Sequence, residues 1–249
     1  MRTALFSDVH GNLQALEAVL ADIRVAKVDA VACLGDTVGY GADPRRCIEL
    51  VRALDCPYVM GNHDYYAVVR SAEMDALLLS SSVRDQPVWA GIKLAREQLS
   101  DEQLEWLRGR EPVGRVEGAL IAHAALHDFE SWPYLRTMEE ARPTLELLGD
   151  QVGFFGHTHR EAVFVPEVAP RPEFLEDGAL QLPEGVAAIT VGSAGQPRDG
   201  DERARWVLWD DERRLVDVRR VSYDVDSACE AILAAGLPPL NAFRLYNEG

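Results

Sequence analysis

Short apolar runs alternate with amphipathic stretches at the start of the chain. Three of these runs are predicted strands, at Thr3–Ser7, Ala30–Leu34 and Tyr58–Met60. Apolar residues at helical spacing follow the first run, and Asn12 can cap the helix that they predict. A second helix is expected over Pro44–Leu54, since proline suits the first helical position. The alternation predicts a parallel sheet with crossover helices, which is an α/β fold.

The pattern changes in the later part of the chain. Residues 65–108 are predicted to be mostly helical, with a capping box formed by Ser100 and Gln103. We expect this cap-like segment to lie beside or over a functional site. The proline- and acid-rich stretch Pro166–Pro183 predicts an exposed loop, and Ala228–Ala235 predicts a closing helix. Further strands are predicted at Ala119–Ala122, Val152–Phe155, Ala187–Val191, Trp206–Asp210 and Leu215–Tyr223, the last two as a hairpin.

Length and composition narrow the class of protein. The 249 residues suit a single domain over residues 1–249, and the hydrophobic content of 47% argues against disorder. The net charge of −16 argues against a general nucleic-acid or anionic-membrane surface. No apolar run approaches the roughly 20 residues that span a bilayer. The early run Ala4–Phe6 is too short for a signal peptide, so we expect a cytoplasmic protein.

The cysteines lack the paired spacing of redox and zinc-binding motifs. Each of them falls in an apolar stretch, which favours reduced, buried thiols over disulfides or metal ligands. The four are Cys33, Cys47, Cys56 and Cys229.

Five of the six histidines lie in four short motifs at the ends of predicted strands. The motifs are Asp8-Val9-His10-Gly11-Asn12, Gly61-Asn62-His63-Asp64, Ala122-His123-Ala124 and Gly156-His157-Thr158-His159. Gly35-Asp36 ends another strand and adds a carboxylate. Imidazole, carboxylate and amide ligands suit divalent metals, and carboxyl ends of parallel strands meet at one edge of a sheet. We therefore expect one mixed nitrogen–oxygen site for two metal ions, with His157 and His159 sharing a strand face.

Each of these residues has an ordinary alternative when it is taken singly. Asp8, Asp36 and Asn62 would then be cap or turn residues, and His123 would be a core histidine. The ordered combination of all the motifs favours the metal site over these separate roles.

Together the motifs resemble the calcineurin-like metallophosphoesterase superfamily, from about Thr3 to His159. The later segment Gly192-Ser193-Ala194-Gly195-Gln196-Pro197-Arg198 is similar to the small bacterial YfcE-like phosphodiesterases. The resemblance implies a four-layer α/β/β/α sandwich with two central mixed sheets. It also implies a dinuclear phosphoesterase that attacks with a metal-bridged hydroxide.

The resemblance implies a role for each site residue. The implied ligands are Asp8, His10 and His159 for one ion, Asn62, His123 and His157 for the other, and Asp36 as a bridge. His63 would contact the phosphate and protonate the leaving oxygen as general acid. Two divalent ions per chain are expected, with manganese favoured and iron, zinc or nickel as alternatives.

Two departures bear on the substrate. Gly35-Asp36 continues as Thr-Val-Gly-Tyr-Gly where the phosphoprotein phosphatases of the superfamily have Asp-Arg-Gly, which disfavours a protein substrate. His123 is followed by Ala-Ala-Leu where many relatives have Gly or Ser and then Pro. We expect small phosphodiesters, cyclic or nucleotide-derived ones among them. The alternatives are a phosphomonoesterase, a nucleotide pyrophosphatase or a non-catalytic metal-binding scaffold, and the presence of His63 disfavours the scaffold.

Substrate contacts are less defined by the sequence. Asn62, His63 and Arg198 are candidates, although Arg198 fits a salt bridge to Asp199 or Asp201 equally well. His127 is either exposed or part of the cleft, and Tyr40 and Trp89 either stack on a base or pack in the core or cap. The expected partner is a small phosphorylated substrate, and the sequence leaves the oligomeric state open.

Overall fold

Ten strands form two five-stranded mixed sheets in the part of the chain that the computed structural model describes, residues 1–166 and 179–246. The strands are β1 (Arg2–Phe6), β2 (Ala30–Cys33), β3 (Val113–Val116), β4 (Ala119–Ala122), β5 (Val152–Phe155), β6 (Glu161–Phe164), β7 (Ala179–Gln181), β8 (Ala187–Val191), β9 (Ala204–Asp210) and β10 (Leu215–Val221). The α-helices are α1 (Leu13–Ala26), α2 (Pro44–Ala53), α3 (Asn62–Val68), α4 (Ala72–Leu79), α5 (Pro87–Gln98), α6 (Asp101–Arg108), α7 (Met138–Leu148), α8 (Val225–Ala234) and α9 (Pro239–Phe243).

The two sheets have different strand orders. The first sheet runs β2-β1-β9-β10-β7, and only its β1–β2 pair is parallel. The second runs β3-β4-β5-β8-β6, in which β4, β5 and β8 are mutually parallel. Each sheet therefore contributes parallel strand ends to one side of the molecule, and mixed pairing confirms the expected α/β class.

Apolar side chains fill three layers between and outside the sheets. Leu5 and Trp209 of the first sheet meet Phe154 of the second in the central layer. The outer face of the first sheet packs against α1, and the outer face of the second packs against α7. Helices thus cover both outer faces, and the predicted α/β/β/α sandwich is confirmed.

Local signals explain several helix boundaries. Asn12 caps α1 because its side-chain oxygen accepts the Ala15 amide at 3.1 Å. Ser100 and Gln103 form the predicted capping box at the start of α6. Residues 65–108 are mostly helical as predicted, and α3 packs against both α5 and α6. The single-domain organisation over residues 1–249 stays a prediction.

Several predicted boundaries were wrong. Tyr58–Met60 is not a regular strand, since only Tyr58 forms a bridge to Cys33 beside β2. Ala179–Gln181 lies in β7 rather than in a loop, because it pairs with β10, while residues 167–178 of that predicted loop lie outside the described residues. The closing helix begins earlier than predicted, at Val225. The sequence patterns also did not predict β3, β6, α7 and α9.

The four cysteines are free, as expected. Cys33, Cys47 and Cys229 are buried, and Cys56 is half-buried. Burial raises the pKa of the Cys56 thiol to about 11. In the described ranges, no helix combines the length and the apolar character that a membrane crossing requires.

Candidate metal centre

The histidine and aspartate motifs converge where parallel strands of both sheets end. Asp8 and His10 follow β1, and Asp36 follows β2 of the same sheet. His123 follows β4 of the second sheet, and His157 and His159 follow β5. The expectation of a single sheet edge was therefore wrong, because the site lies between the ends of two packed sheets.

Five of these side chains come from residues with left-handed backbone conformation. Their φ angles are 56° for Asp8, 52° for His10, 53° for Asp36, 67° for His157 and 57° for His159. Such angles are uncommon outside glycine and cluster at functional sites. They also correct the expectation that His157 and His159 share a strand face, since both residues lie in a tight turn after β5.

Three histidines have the same ring orientation. The Nδ1 atoms of His10, His123 and His159 lie 3.1, 2.7 and 2.6 Å from the carbonyl oxygens of Val38, Leu34 and Gln196, respectively. A carbonyl oxygen can only accept, so each Nδ1 carries a proton and donates it. In the neutral ring, each Nε2 then presents a lone pair toward the interior of the site, which is the arrangement that orients metal-binding histidines.

The expected ligands of one ion, Asp8, His10 and His159, form the first ligand set, and with neutral rings the atoms that they turn toward each other are all acceptors. His10 Nε2 lies 3.1 Å from His159 Nε2, and His159 Nε2 lies 3.3 Å from Asp8 Oδ1. Asp8 Oδ1 is buried and has no hydrogen-bond partner in residues 1–166 and 179–246. Buried acceptors that meet without a donor are unfavourable, and a cation between them would satisfy all three. This set therefore fits a divalent metal.

The expected ligands of the other ion, Asn62, His123 and His157, form the second ligand set, which lies around Asp36. Ligand atoms of Asp36, His123 and His157 lie within 4.8 Å of one another. Asn62 Oδ1 lies 3.1 Å from His123 Nε2. His157 Nε2 donates to the carbonyl of Trp132 at 3.0 Å, which leaves Nδ1 of His157 as its free ligand atom. Nitrogen and oxygen donors thus meet here as in the first set.

Asp36 lies between the two sets. Its Oδ2 is 3.3 Å from His123 Nε2 and 3.8 Å from His10 Nε2. Gly61 allows this approach, since a Cβ at position 61 would collide with Asp36 Oδ1. The position fits a bridging carboxylate.

The pKa values favour one positive charge in the centre, at His123, while burial lowers the pKa of His157 to about 3 and that of His159 to about 4. Burial disfavours the charged ring of His123, yet the Asp36 carboxylate raises the pKa of His123 to about 9. Burial also opposes ionisation of Asp8, but the neighbouring rings of His159 and His10 hold its pKa well below the usual range. A proton on His123 thus partly balances the buried carboxylates, and divalent ions would do so more fully.

His63 faces the same space from the first turn of α3. Its amide donates to Asp36 Oδ1 at 2.8 Å, and its ring packs against His10 at a centroid distance of 4.6 Å. Its Nδ1 is buried with no hydrogen-bond partner among the described residues. Burial lowers the pKa of His63 well below its ordinary value, although Asp36 opposes the shift. Together with His10 and Asp36, His63 also forms a third group of possible ligand atoms within 4.8 Å.

Asp64 is a positioning residue that sequence reasoning missed. Its buried carboxylate accepts the amides of Asp36 at 2.8 Å and Thr37 at 3.1 Å. It also accepts the amide of Gly61 at 3.2 Å and the hydroxyl of Tyr58 at 2.6 Å. The carboxylate therefore joins the loop that carries Asp36 to the start of α3. The signal in the sequence was the acid directly after Asn62-His63, to which the motif had given no role.

The Gly192–Arg198 segment holds the ligand loops in place. Ser193 Oγ donates to the Asp8 carbonyl at 2.8 Å, and the Gly195 amide donates to the same oxygen at 2.9 Å. Gly195 is required at this point, because a Cβ would collide with the carbonyl of Val9. The segment thus orients Asp8 directly and His159 through the Gln196 carbonyl.

Arg198 lies at the rim of the centre. Its Nη2 donates to Gln196 Oε1 at 2.8 Å, and its guanidinium lies 5.7 Å from the centroid of the Tyr40 ring. Asp199 and Asp201 pair with other arginines, Arg205 and Arg203, each at 2.6 Å. The salt-bridge alternative for Arg198 is therefore absent from the ion pairs of the described ranges.

The three remaining aromatic candidates have packing contacts. Tyr40 is buried with its ring edge-on to His10 at 4.8 Å. Trp89 packs against Tyr66 at 5.3 Å, within the helical segment. His127 is half-buried, and its Nδ1 lies 3.4 Å from Thr144 Oγ1, so it is not simply exposed.

Two clefts flank the centre. The aromatic cleft, of about 600 Å³, adjoins the second ligand set through Trp132, and is lined by Met60, Tyr65, Pro112, Phe129, Glu130 and Trp132. The arginine cleft, of about 490 Å³, adjoins the first set through Thr158, and is lined by Tyr134, Leu135, Arg136, Thr158, Arg160, Glu161, Ala162, Thr190 and Arg198. A substrate at the centre could extend into either one.

Comparisons with known proteins identify the family to which the chain belongs. Residues 1–212 match the family described as the calcineurin-like phosphoesterase superfamily domain. The crystal structure of a metallophosphoesterase from Sphaerobacter thermophilus is 33% identical, with a TM-score of 0.85 over 98% of each chain. An uncharacterised protein of Methanocaldococcus jannaschii is 33% identical over 98% of this chain and 96% of its own length.

A more distant relative matches about half of the chain. The symmetrical bis(5′-nucleosyl)-tetraphosphatase of Sodalis glossinidius is 31% identical over 132 residues. The match spans 51% of this chain and 44% of that protein.

Proposed function

The chain belongs to the calcineurin-like phosphoesterase superfamily, and from this premise we propose that it is a dinuclear metal-dependent phosphoesterase acting on small phosphodiesters. One observation carries the proposal. The Nε2 atoms of His10, His123 and His159 face the buried carboxylates of Asp8 and Asp36, so nitrogen and oxygen ligand atoms converge there as they do around divalent metal ions.

The proposed ligand roles follow these distances. Asp8, His10 and His159 would hold one ion, Asn62, His123 and His157 the other, and Asp36 both. When bound, such ions supply positive charge for the phosphoryl oxygens and make hydroxide available near neutral pH. Manganese is the favoured metal, with iron, zinc and nickel as alternatives, since mixed nitrogen and oxygen donors suit all four.

His63 is the proposed general acid. Its buried Nδ1 has no partner in the described part of the chain, and its backbone is fixed by the Asp36 carboxylate at 2.8 Å. A proton at this imidazole could pass to the leaving oxygen of a substrate, provided that the substrate's negative charge raises the lowered pKa of the ring. Arg198 would contact a phosphate from the rim through its planar fork.

A second candidate function is nucleotide pyrophosphatase activity on the same centre. It is favoured by the distant relative named as a dinucleoside tetraphosphatase and by the aromatic cleft beside the second ligand set. Stacking on aromatic side chains is a general way to bind a nucleobase. Phosphomonoesterase activity and a non-catalytic scaffold are the remaining alternatives.

A substrate panel with the manganese-loaded protein separates these candidates. We expect faster turnover of bis-p-nitrophenyl phosphate or 2′,3′-cyclic nucleotides than of p-nitrophenyl phosphate. Diadenosine tetraphosphate tests the pyrophosphatase alternative. A preference for p-nitrophenyl phosphate would make the protein a monoesterase, and metal binding with no turnover of any compound would make it a scaffold.

The role of His63 is tested by leaving-group dependence. His63→Ala should retain both metals while kcat falls about 10²–10⁴-fold for an alkyl alcohol leaving group. The loss should be smaller for p-nitrophenolate, which leaves readily as an anion. His127→Ala is the matched control, because His127 lies outside the ligand sets and should change neither metal content nor leaving-group dependence. Equal losses with both leaving groups would indicate substrate positioning, and loss of a metal would make His63 a ligand.

A further inference from the structure

The arginine cleft opens directly from the first ligand set. Thr158, on its wall, lies between the two ligand residues His157 and His159. The Arg198 amide donates to the His159 carbonyl at 3.1 Å, so this side chain also starts at the edge of the centre. The Tyr134 ring stacks on His157 at a centroid distance of 4.1 Å and an interplanar angle of 12°. A substrate whose reacting phosphate lies at the centre would therefore have the cleft next to it.

The cleft concentrates positive charge in a strongly acidic protein. Three arginines line it in a chain whose net charge is −16. The Arg136 guanidinium lies 4.4 Å from the Tyr134 centroid. Because the His157 ring stacks on one face of Tyr134, the Arg136 guanidinium lies over the opposite face. Only the Tyr134 ring therefore separates Arg136 from His157. Arg136 and Arg160 are both exposed, so an incoming anion can reach them.

The single acid among the described lining residues does not cancel this charge. Glu161 is only 1% exposed, and its Oε1 accepts Arg205 Nε at 2.8 Å. Arg220 Nη2 lies 3.5 Å from the same oxygen. Two arginines behind the cleft therefore balance the Glu161 carboxylate. Of the arginines that line the cleft, Arg136 forms an exposed ion pair with Glu140 at 3.2 Å, a weak contact with which an anion in the cleft can compete.

The cleft also contains a free hydroxyl. Thr190 is 1% exposed, and its Oγ1 has no hydrogen-bond partner in the described ranges. A buried hydroxyl without a partner is unfavourable, and an anionic oxygen in the cleft would accept its proton. Planar guanidinium groups and a hydroxyl donor are the chemistry that recognises phosphate oxygens.

We propose that the arginine cleft binds phosphate groups of the substrate beyond the one that reacts, so that the preferred substrates carry several linked phosphates, as nucleoside polyphosphates do. The proposal rests on the metal centre of the proposed function, and it favours the pyrophosphatase alternative. Arg136 and Arg160 contact the distal phosphates, while Arg198 lies between these phosphates and the ligand set.

Binding of substrate analogues that cannot be hydrolysed tests the cleft without requiring turnover. Titration calorimetry on the manganese-loaded protein compares methylphosphonate, with one phosphonate, and the bis-methylene analogue of tripolyphosphate, with three linked phosphorus groups. The test variant is Arg136→Gln/Arg160→Gln. The matched control is Arg45→Gln/Arg213→Gln, which removes the same charge from two exposed arginines outside the cleft.

The test variant should bind the triphosphate analogue about 10- to 100-fold more weakly than the wild type, since each substitution removes a charge-assisted contact with the ligand. Its affinity for methylphosphonate should change less than about threefold, which is the scale of lost long-range attraction. The control variant should match the wild type with both ligands. Equal losses with both ligands, no loss, or the same loss in the control would overturn the proposal. Absence of turnover in the substrate panel would overturn the proposed function alone, because the binding result does not depend on hydrolysis.

Discussion

Replacing Asp64 by asparagine should destabilise the protein strongly although Asp64 is not a predicted ligand. The buried carboxylate accepts backbone amides from Asp36, Thr37 and Gly61 and the hydroxyl of Tyr58, at 2.6–3.2 Å. Asparagine has almost the same volume, so no cavity forms. It lacks the charge, however. Its NH₂ group would also face some of the N–H and O–H groups that now donate to the carboxylate.

The magnitude follows from the number of donors left without an acceptor. A net hydrogen bond to a charged group contributes about 1.5–3 kcal/mol, and asparagine keeps one accepting oxygen. Loss of about two such contacts predicts a decrease of roughly 3–5 kcal/mol in the free energy of unfolding. Tyr58→Phe removes only one of these hydrogen bonds and should cost about 1.5–3 kcal/mol. Asp75→Asn, at a half-exposed carboxylate, should cost less than about 1 kcal/mol.

Urea unfolding followed by tryptophan fluorescence measures these differences, in chelator so that metal binding does not add to stability. Metal loading should increase the difference in the free energy of unfolding between the wild type and Asp64→Asn. In the variant, the loop that carries Asp36 loses the hydrogen bonds that hold it in place. If Asp64→Asn lost less than Tyr58→Phe in the metal-free protein, the carboxylate would not be the anchor of this loop.

Three further predictions concern the bridging role of Asp36, the ion pair of Asp201 and the burial of the cysteine thiols. Asp36→Asn should lower metal content, measured by elemental analysis, more than Asn62→Ala does, since Asp36 lies between both sets; the reverse order would refute the bridge. The Arg203 side chain lowers the pKa of Asp201 to about 2, so the ion pair stabilises the fold above about pH 4 and its contribution is lost as pH falls toward 2. Asp201→Asn should therefore lower the free energy of unfolding, measured in urea, slightly at pH 6 and less at pH 3. The decrease should stay under about 1 kcal/mol because the carboxylate is partly exposed. An equal decrease at both pH values would contradict this. Iodoacetamide at pH 8 should label the native thiols slowly and the unfolded thiols quickly, because burial raises their pKa; rapid labelling of the native protein would contradict their burial.

The sequence predicted the elements whose signals are local. Asn12 and Ser100 are helix caps, and the runs before Asp8 and His157 are buried strands, so short patterns identified them. The assignment of these strands to two different sheets depends on long-range pairing, which no local pattern records. The helix α7 was missed because Pro143 interrupts its pattern.

The site was predictable to a similar extent. The motif order places the side chains in one region, but the turns that aim them are left-handed at Asp8 and His157, which a strand-face argument cannot anticipate. The strand β6 was missed because Glu161, at its start, is a buried acid paired with Arg205. Such a pair is apparent only after residues 44 positions apart in the sequence meet.

Metal stoichiometry tests the central claim most directly. The wild-type protein is loaded with manganese, freed of excess metal by gel filtration, and analysed for manganese per chain. The two ligand sets around Asp36 predict a value that approaches two equivalents, with the second equivalent lost in Asp36→Asn. A reproducible maximum of one equivalent in the wild-type protein would contradict the dinuclear centre.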